Sequence, residues 1–324
     1  MIDLSQIIKP VLPEFERFRD NFSKVIQNEI PLLEKALLHV LSSKGKHVRP
    51  LLLLLTAKAT GKISPTTIDS SVLIEVLHTT TLIHDDVVDD TKQRRGVPSL
   101  NAIFDNRIAV LTGDFLLAGT MIKAVETGNL TTIRIIAQVC RELSEGELMQ
   151  LDNAENHSLN EEKYLSVIHK KTATLISACT EIGAISVHAP AETTDKCRQF
   201  GKYLGYCFQI KDDIFDYYED IKIGKPTGND IREGKISLPL LFALKNAEEK
   251  DRICYMDIIN RQDFTTENVS ALISFAKHHG GIEYAEKRLI DYKQKAVEII
   301  SGFPASEARN SLLLMADYFS ERAY

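Results

Sequence analysis

The strongest constraint on this chain is the rhythm of its apolar residues, which return every three or four positions through long stretches with few breaks. In TTIRIIAQVCRELSEGELMQL (131–151), Ile133, Ile136, Val139, Cys140, Leu143, Leu148 and Leu151 largely keep that step. It lines one face of a helix and does not fit a strand. The same step runs through 164–185 and 285–300. Segments 66–88 and 164–187 are apolar on more than one face, as expected of helices at the centre of a bundle. Only 16 glycines and 10 prolines occur in 324 residues. Pro50 follows a basic turn and Pro65 lies in SPTTIDSS, and both read as helix starts. The pattern predicts an all-α chain of about ten helices of two to five turns. No linker rich in proline, glycine or serine and no repeat interrupts it, so one domain over residues 1–324 is expected.

Composition narrows the function classes. An apolar fraction of 44% and a charged fraction of 26% are those of an ordinary soluble protein. A net charge of −6 argues against a general nucleic-acid binder, although it leaves room for a local basic pocket. Cys140, Cys179, Cys197, Cys207 and Cys254 show no CxxC or zinc-site spacing and read as reduced thiols. The N-terminus lacks the charged and apolar regions of a signal peptide. The run Leu51 to Leu55 is too short to span a bilayer. A soluble cytoplasmic protein is the expectation.

Two acidic clusters stand out, LIHDDVVDD (82–90) and QIKDDIFDY (209–217). On a helix, Asp85 and Asp89 lie one turn apart on a common face, with Asp86 beside them; Asp212, Asp216 and Asp213 repeat that geometry. Crowded like charges are costly unless a cation is expected. Either cluster alone reads equally well as a solvated helix end, whereas two with the same DDxxD spacing point to shared divalent ions. Magnesium takes few protein carboxylates and completes its octahedron with water and phosphate oxygens, which suits a diphosphate. No glycine stands at the position a calcium loop requires.

Basic residues cluster near both acidic segments. GKHVRP carries Lys46 and Arg49, RRG carries Arg94 and Arg95, HKKTA carries Lys171 and Thr172, and GKPTGNDIREGK carries Lys225 and Lys235. Arginine grips phosphate oxygens as a fork and lysine acts as a point charge. The dinucleotide GxGxxG and the Walker-type GxxxxGK[ST] are both absent.

These motifs, in this order, resemble those of the trans-isoprenyl diphosphate synthases: GKHVRP, EVLHTTTLIHDDVVDDTKQRRG, GDFLL, KKTA, GYCFQIKDDIFD and GKPTGNDIREGKISLPL. The likeness is close over residues 45–240, and the subgroup most resembled is the bacterial long-chain, octaprenyl type. It implies a single large helical bundle of the isoprenoid synthase type with a central active-site cavity, a homodimer, and Mg2+, three ions with substrate bound. By resemblance, Asp85, Asp86, Asp89, Asp212, Asp213 and Asp216 form the metal site. Arg94, Lys171, Thr172, Gln209, Lys225 and Lys235 take the allylic diphosphate. Lys46, Arg49, His78 and Arg95 take isopentenyl diphosphate. Asp85, Asp89, Lys171, Asp212 and Lys225 are the expected catalytic set. His84 reads as structural. His47 departs from the family, which often has another basic or polar residue there, and a neutral histidine would weaken that contact slightly.

The implied reaction is ionisation of an allylic diphosphate such as farnesyl diphosphate, attack by isopentenyl diphosphate, and loss of a proton, giving a long all-trans polyprenyl diphosphate for quinone side chains. Thr80 and Thr81, five and four positions before Asp85, are small where short-chain relatives carry aromatic rings, so a product beyond fifteen carbons is expected, octaprenyl being the best single choice. Met121, Val125 or residues of 131–151 would set the floor. Alternatives are a shorter geranylgeranyl or farnesyl product and a non-catalytic subunit of a heteromeric synthase. Terpene cyclases use one diphosphate and one such aspartate motif, and an HD-type phosphohydrolase needs more histidines than His84 and His78 supply. Transient membrane contact fits a lipid product, though no basic amphipathic anchor is evident.

Overall fold

The computed structural model describes residues 3–42, 45–94, 96–218 and 227–321; Arg95 and Lys225, both named above, lie outside them. The N-terminal part consists of α1 (Leu4–Ile8), α2 (Leu12–Ser23), α3 (Pro31–Ser42) and α4 (Val48–Thr60). Helix α4 starts two residues before Pro50, which therefore sits in its first turn, where a missing N–H costs nothing. The central helices are α5 (Pro65–Val88), the short α6 (Leu100–Phe104), α7 (Asn106–Glu126), α8 (Leu130–Asn156), α9 (Glu161–Ile168), α10 (Thr174–Ile185) and α11 (Ala191–Phe215). The C-terminal part contains α12 (Asn229–Arg232), α13 (Leu238–Asn246), α14 (Glu249–Asn260), α15 (Thr266–His278), α16 (Gly281–Ser301) and α17 (Glu307–Glu321). The only strands among the described residues are Gln93–Arg94 and Val97–Pro98, a two-residue antiparallel pair. The helices outnumber the ten expected because several are single turns that apolar periodicity does not resolve.

Local chemistry sets the boundaries. Ser64 and Thr67 form a capping box that opens α5 with Pro65 in its first turn. Side chains of Asp105, Asn129 and Asn160 accept from the first free N–H groups of α7, α8 and α9. Helix α5 is buried on all sides from Ser70 to Thr80, and its hydroxyls are satisfied within the helix, as when Thr79 Oγ1 donates to Glu75 O. It packs against α7 and α4, while α10 packs against α11 and α4 and α11 against α16. One apolar core runs from Ile7 to Phe319.

The segment that reads as one helix over 164–187 is interrupted by a π-helical turn, His169–Ala173. Helix α7 departs from expectation too. It is long and apolar enough in composition to cross a membrane, with a mean hydropathy of 1.6 and only 33% of that stretch buried. One face packs on α5 through Ala109, Thr112, Gly113 and Leu116, whereas Leu111 and Ile122 stand 64% and 60% exposed.

Candidate active site

Helices α5 and α11 both end in aspartates. Asp85 and Asp86 occupy the last turn of α5, with Asp89 at its C-cap; Asp212 and Asp213 occupy the last turn of α11, with Asp216 at its C-cap. A helix C-terminus carries roughly half a negative charge, so these carboxylates are repelled by the helix dipole as well as by one another. A cavity of about 1180 Å³ takes Asp85 from one helix and Asp212 and Asp213 from the other into its wall.

Burial raises Asp85 from its ordinary 3.8 to about 6; Lys171 and Arg94 oppose the rise, and Glu147 and Asp89 add to it. Partial desolvation raises Asp89 as well, although its outer surface is open. Burial also lifts Asp213 and Asp230, on α12, above the usual carboxylate range, the latter with the charges of Asp213 and Asp216 adding to the rise. A carboxylate set held above its usual range in a cleft gains from a cation, so the donor chemistry fits a hard divalent ion. Among the described residues, no three histidine, cysteine or acidic side chains converge closely enough to hold an ion unaided.

The six aspartates are not equivalent. Asp86 is 5% exposed, and its Oδ1 accepts from Nε of Arg94 at 2.7 Å. Asp213 accepts from Tyr164 Oη at 2.6 Å and from Gln209 Nε2 at 2.9 Å, one donor on each oxygen. The oxygens of Asp216 accept from the backbone N–H groups of Asn229 and Asp230, at 2.9 and 3.0 Å. Asp86 therefore anchors a phosphate-type arginine, Asp213 is fixed between two side chains, and Asp216 fastens the start of α12. The six carboxylates thus differ in how much of their accepting capacity protein donors already take up.

The basic side surrounds the same cavity, with Lys46, Arg49, His78, Arg94, Lys171 and Lys235 in its wall. Arg49 Nη1 lies 2.9 Å from His78 Nε2; a guanidinium only donates, so this nitrogen accepts and the ring proton sits on Nδ1. Burial works against the Lys235 charge, but its bond to Glu233 and the charges of Asp230 and Asp89 hold its pKa above the ordinary lysine value. His47 lines the same cavity and is anchored there by its own partners. Its Nδ1 pairs with Glu75 Oε1 at 2.9 Å, its backbone is left-handed at φ 47°, and Phe18 and Phe22 meet its ring edge-on. His84 fills the space that Gly113 leaves open and also reaches the cavity wall, with Nε2 3.4 Å from Val110 O and 3.5 Å from Asp114 Oδ1.

The π-turn carries Lys171 and Thr172 to the cavity. Lys171 Nζ donates to Gln150 Oε1 at 3.0 Å and pairs with Glu147, both on α8. Thr172 Oγ1 donates to Gln209 Oε1 at 2.7 Å, which links the turn to Asp213. Two glycines make room for the wide turn. A Cβ on Gly146 would lie 2.8 Å from Lys170 Cβ, and one on Gly205 would lie 2.4 Å from Ala173 Cα. Sequence reasoning missed Glu147, Gln150, Tyr164 and Asp230. Their available signals were the spacing of Glu147 and Gln150 on one helix face and the position of Asp230 inside the glycine-rich basic stretch.

Below the aspartates the wall becomes apolar, formed by Leu77, Leu117, Cys140, Leu143 and Leu175 together with Thr80 and Thr81. The two threonine hydroxyls donate to Val76 O and His78 O, each at 2.9 Å, so neither needs a partner from the cavity. Met121 and Val125 do not line it, and Val125 is 62% exposed. Leu117 on the same helix does line it, as do Cys140 and Leu143 from the expected segment 131–151.

Residues 30–275 match the polyprenyl synthetase family model. The chain is 35% identical over 317 residues to the all-trans-nonaprenyl-diphosphate synthase (geranyl-diphosphate specific) of Rhodobacter capsulatus, covering 96% of each. A solved decaprenyl diphosphate synthase from that organism is 33% identical and superposes with a TM-score of 0.93 over 98% of both chains. A solved geranylgeranyl pyrophosphate synthase of Bacteroides thetaiotaomicron is 39% identical, with a TM-score of 0.86 over 98% of this chain and 99% of that one.

Proposed function

The chain belongs to the polyprenyl synthetase family, and from that premise we propose that it condenses isopentenyl diphosphate with an allylic diphosphate, such as farnesyl diphosphate, into a long-chain all-trans polyprenyl diphosphate. The observation that carries the reading is a single cavity whose rim joins two acidic helix ends to a ring of lysines and arginines and whose depth is apolar.

Asp85, Asp89 and Asp212 would hold Mg2+, which when bound neutralises the charge that gathers on a departing diphosphate. Asp86, Asp213 and Asp216 keep Arg94, Gln209 and α12 in place. Arg94, Lys171, Thr172, Gln209 and Lys235 bind the allylic diphosphate, with Lys225 expected to join them. Their preset donors stabilise the leaving group's charge as the C–O bond breaks. Lys46, Arg49 and His78, with Arg95 expected alongside, orient isopentenyl diphosphate so that its double bond faces the allylic carbon. The apolar wall excludes water from the cation. The released diphosphate is the nearest base for the proton lost after bond formation, and no side-chain nucleophile is required.

The small Thr80 and Thr81 support a product beyond fifteen carbons, octaprenyl first among them, destined for quinone side chains. A shorter, geranylgeranyl product is the second reading, favoured by the 39% identical relative of that name. Described residues 3–321 share one core, which supports a single domain, and the open apolar face of α7 supports a homodimer. We place the enzyme in the cytoplasm, touching membrane only to release its lipid product. Incubation with farnesyl diphosphate, labelled isopentenyl diphosphate and Mg2+ should give labelled polyprenyl diphosphates, and mass analysis reads their length. Cyclised product, hydrolysis alone or no reaction would each sink the proposal.

A further inference from the structure

We propose that His47, held by Glu75, is a further donor to the diphosphate of the acceptor substrate; the inference rests on the prenyl-transfer reading above. The imidazole stands in the wall of the main cavity with Lys46, Arg49 and His78, and it also borders a smaller cavity of about 70 Å³. Its orientation is fixed on three sides. Nδ1 lies 2.9 Å from Glu75 Oε1, and the rings of Phe18 and Phe22 meet it edge-on at centroid distances of 5.4 and 5.6 Å. A carboxylate only accepts, so Nδ1 carries a hydrogen. Nε2 is left without a protein partner among the described residues, in a side chain that stays 19% exposed. A fixed ring with one nitrogen unused, placed in sequence between Lys46 and Arg49, is set to meet the anion those two cations gather.

A diphosphate oxygen offers no hydrogen, so Nε2 can bond to it only by bringing one, which makes the ring an imidazolium. Glu75 balances the charge of that form. It is 6% exposed, and its Oε2 is buried without a hydrogen-bond partner, so this carboxylate gains more from a charged neighbour than from a neutral one. Lys46 and Arg49 on the ring's own turn bring positive charge beside it, as does Arg94, which is already paired with Asp86. The other titratable side chains around the ring are His78 on α5, which accepts from Arg49, His39 on α3, which donates to Pro98 O, and Tyr318 on α17. An arriving diphosphate cancels the cations and faces the ring on the nitrogen that Glu75 does not hold. The ring then lies between two anions, and a proton taken from solvent serves both bonds. Hydrogen bonds of this charge-assisted kind are the strong ones.

His47→Asn tests this, because asparagine tolerates the left-handed backbone at φ 47° and lacks the distal nitrogen. With farnesyl diphosphate saturating and Mg2+ present, the KM for isopentenyl diphosphate at pH 6.5 should rise ~10-fold, while that for farnesyl diphosphate moves by less than about 2-fold. The ratio of variant to wild-type KM should shrink to about 2-fold by pH 9, where the wild-type ring enters uncharged. Titrations common to both proteins cancel in that ratio. Glu75→Gln still accepts from Nδ1 but balances no charge, so it should show the same rise and the same convergence. Both variants should keep the wild-type far-UV circular dichroism; were one to lose it, the other carries the same reading. A KM ratio that stays constant from pH 6.5 to 9 overturns the proposal, since it marks the ring as packing alone. So does an unchanged KM for isopentenyl diphosphate in either folded variant, or an equal rise for both substrates. If wild-type protein forms no polyprenyl product at all, the activity reading fails and calorimetry judges the site instead. With Mg2+ withheld, inorganic diphosphate should then bind wild-type protein at pH 6.5 ~10-fold more tightly than His47→Asn, and equal affinities overturn the proposal.

Discussion

At Asp85 the bare fold and the chemistry pull in opposite directions. A carboxylate raised from 3.8 to about 6 destabilises the folded chain when it ionises, by on the order of 3 kcal/mol before solvent screening. Asp85→Asn should therefore raise the melting temperature of the metal-free protein by a few degrees while lowering kcat by ~10³-fold or more. A variant that melts lower than wild type in the absence of metal would refute that account. On the proposed function, Thr80 would set product length rather than rate. Thr80→Phe puts a ring into the upper wall and should shift products to shorter chains, read by reversed-phase chromatography, with the early condensation steps kept. An unchanged distribution would show that the hydrocarbon takes another course. Both positions were legible in the sequence, because the DDxxD spacing and small residues four and five places upstream are local facts. Tyr164 was not, since only folding brings it 2.6 Å from Asp213, 49 positions along the chain.

Among the elements, the π-turn His169–Ala173 is where periodicity failed. One wide turn inserts a residue without breaking the run of apolar positions, so 164–187 reads as a single helix. The turn survives because Gly146 and Gly205 leave space on either side of it. Gly205→Ala would drive a methyl onto Ala173 and displace Lys171 and Thr172. The expected result is a ~10²-fold loss in kcat/KM for the allylic substrate, the KM for isopentenyl diphosphate changing by only about 2-fold, and a stability cost of about 1–3 kcal/mol. Equal losses toward both substrates would mean that the glycine serves packing in general. The basic turn before α4 makes the complementary case. Its lysine and arginine were legible, but the anchoring of His47 by Glu75 was not, because that contact joins two separate helices.

For the whole molecule the acidic cavity ties stability to pH. Burial raises Asp85 to about 6 in the folded chain, and burial with the repulsion of neighbouring carboxylates holds Asp213 and Asp230 above the ordinary aspartate value as well. The folded chain thus holds protons that the unfolded chain releases. These groups favour folding fully below about 4 and lose that contribution as pH rises through their raised values, about 6 for Asp85. Metal-free protein should melt progressively lower across that window, whereas the gain in melting temperature on adding Mg2+ with inorganic diphosphate should grow with pH, because protons no longer compete. A gain that is flat from pH 5.5 to 8 would show that Asp85, the raised carboxylate among the proposed ligands, does not hold the metal.

The sequence by itself determined the helical class, the two DDxxD clusters, most of the basic residues of the cavity and the small residues one turn before the first cluster. Each of these is written in spacing along one helix or one turn, and a helix repeats every 3.6 residues whatever surrounds it. Only the tertiary structure decided which aspartates line the cavity and that Asp86, Asp213 and Asp216 accept from Arg94, Gln209 and the start of α12. It also decided that Glu147 and Gln150 carry Lys171, and that α7 keeps an apolar face outward. Those outcomes depend on which atoms meet across helices far apart in the chain, and hydrogen bonds and burial at such meetings have no fixed separation in sequence.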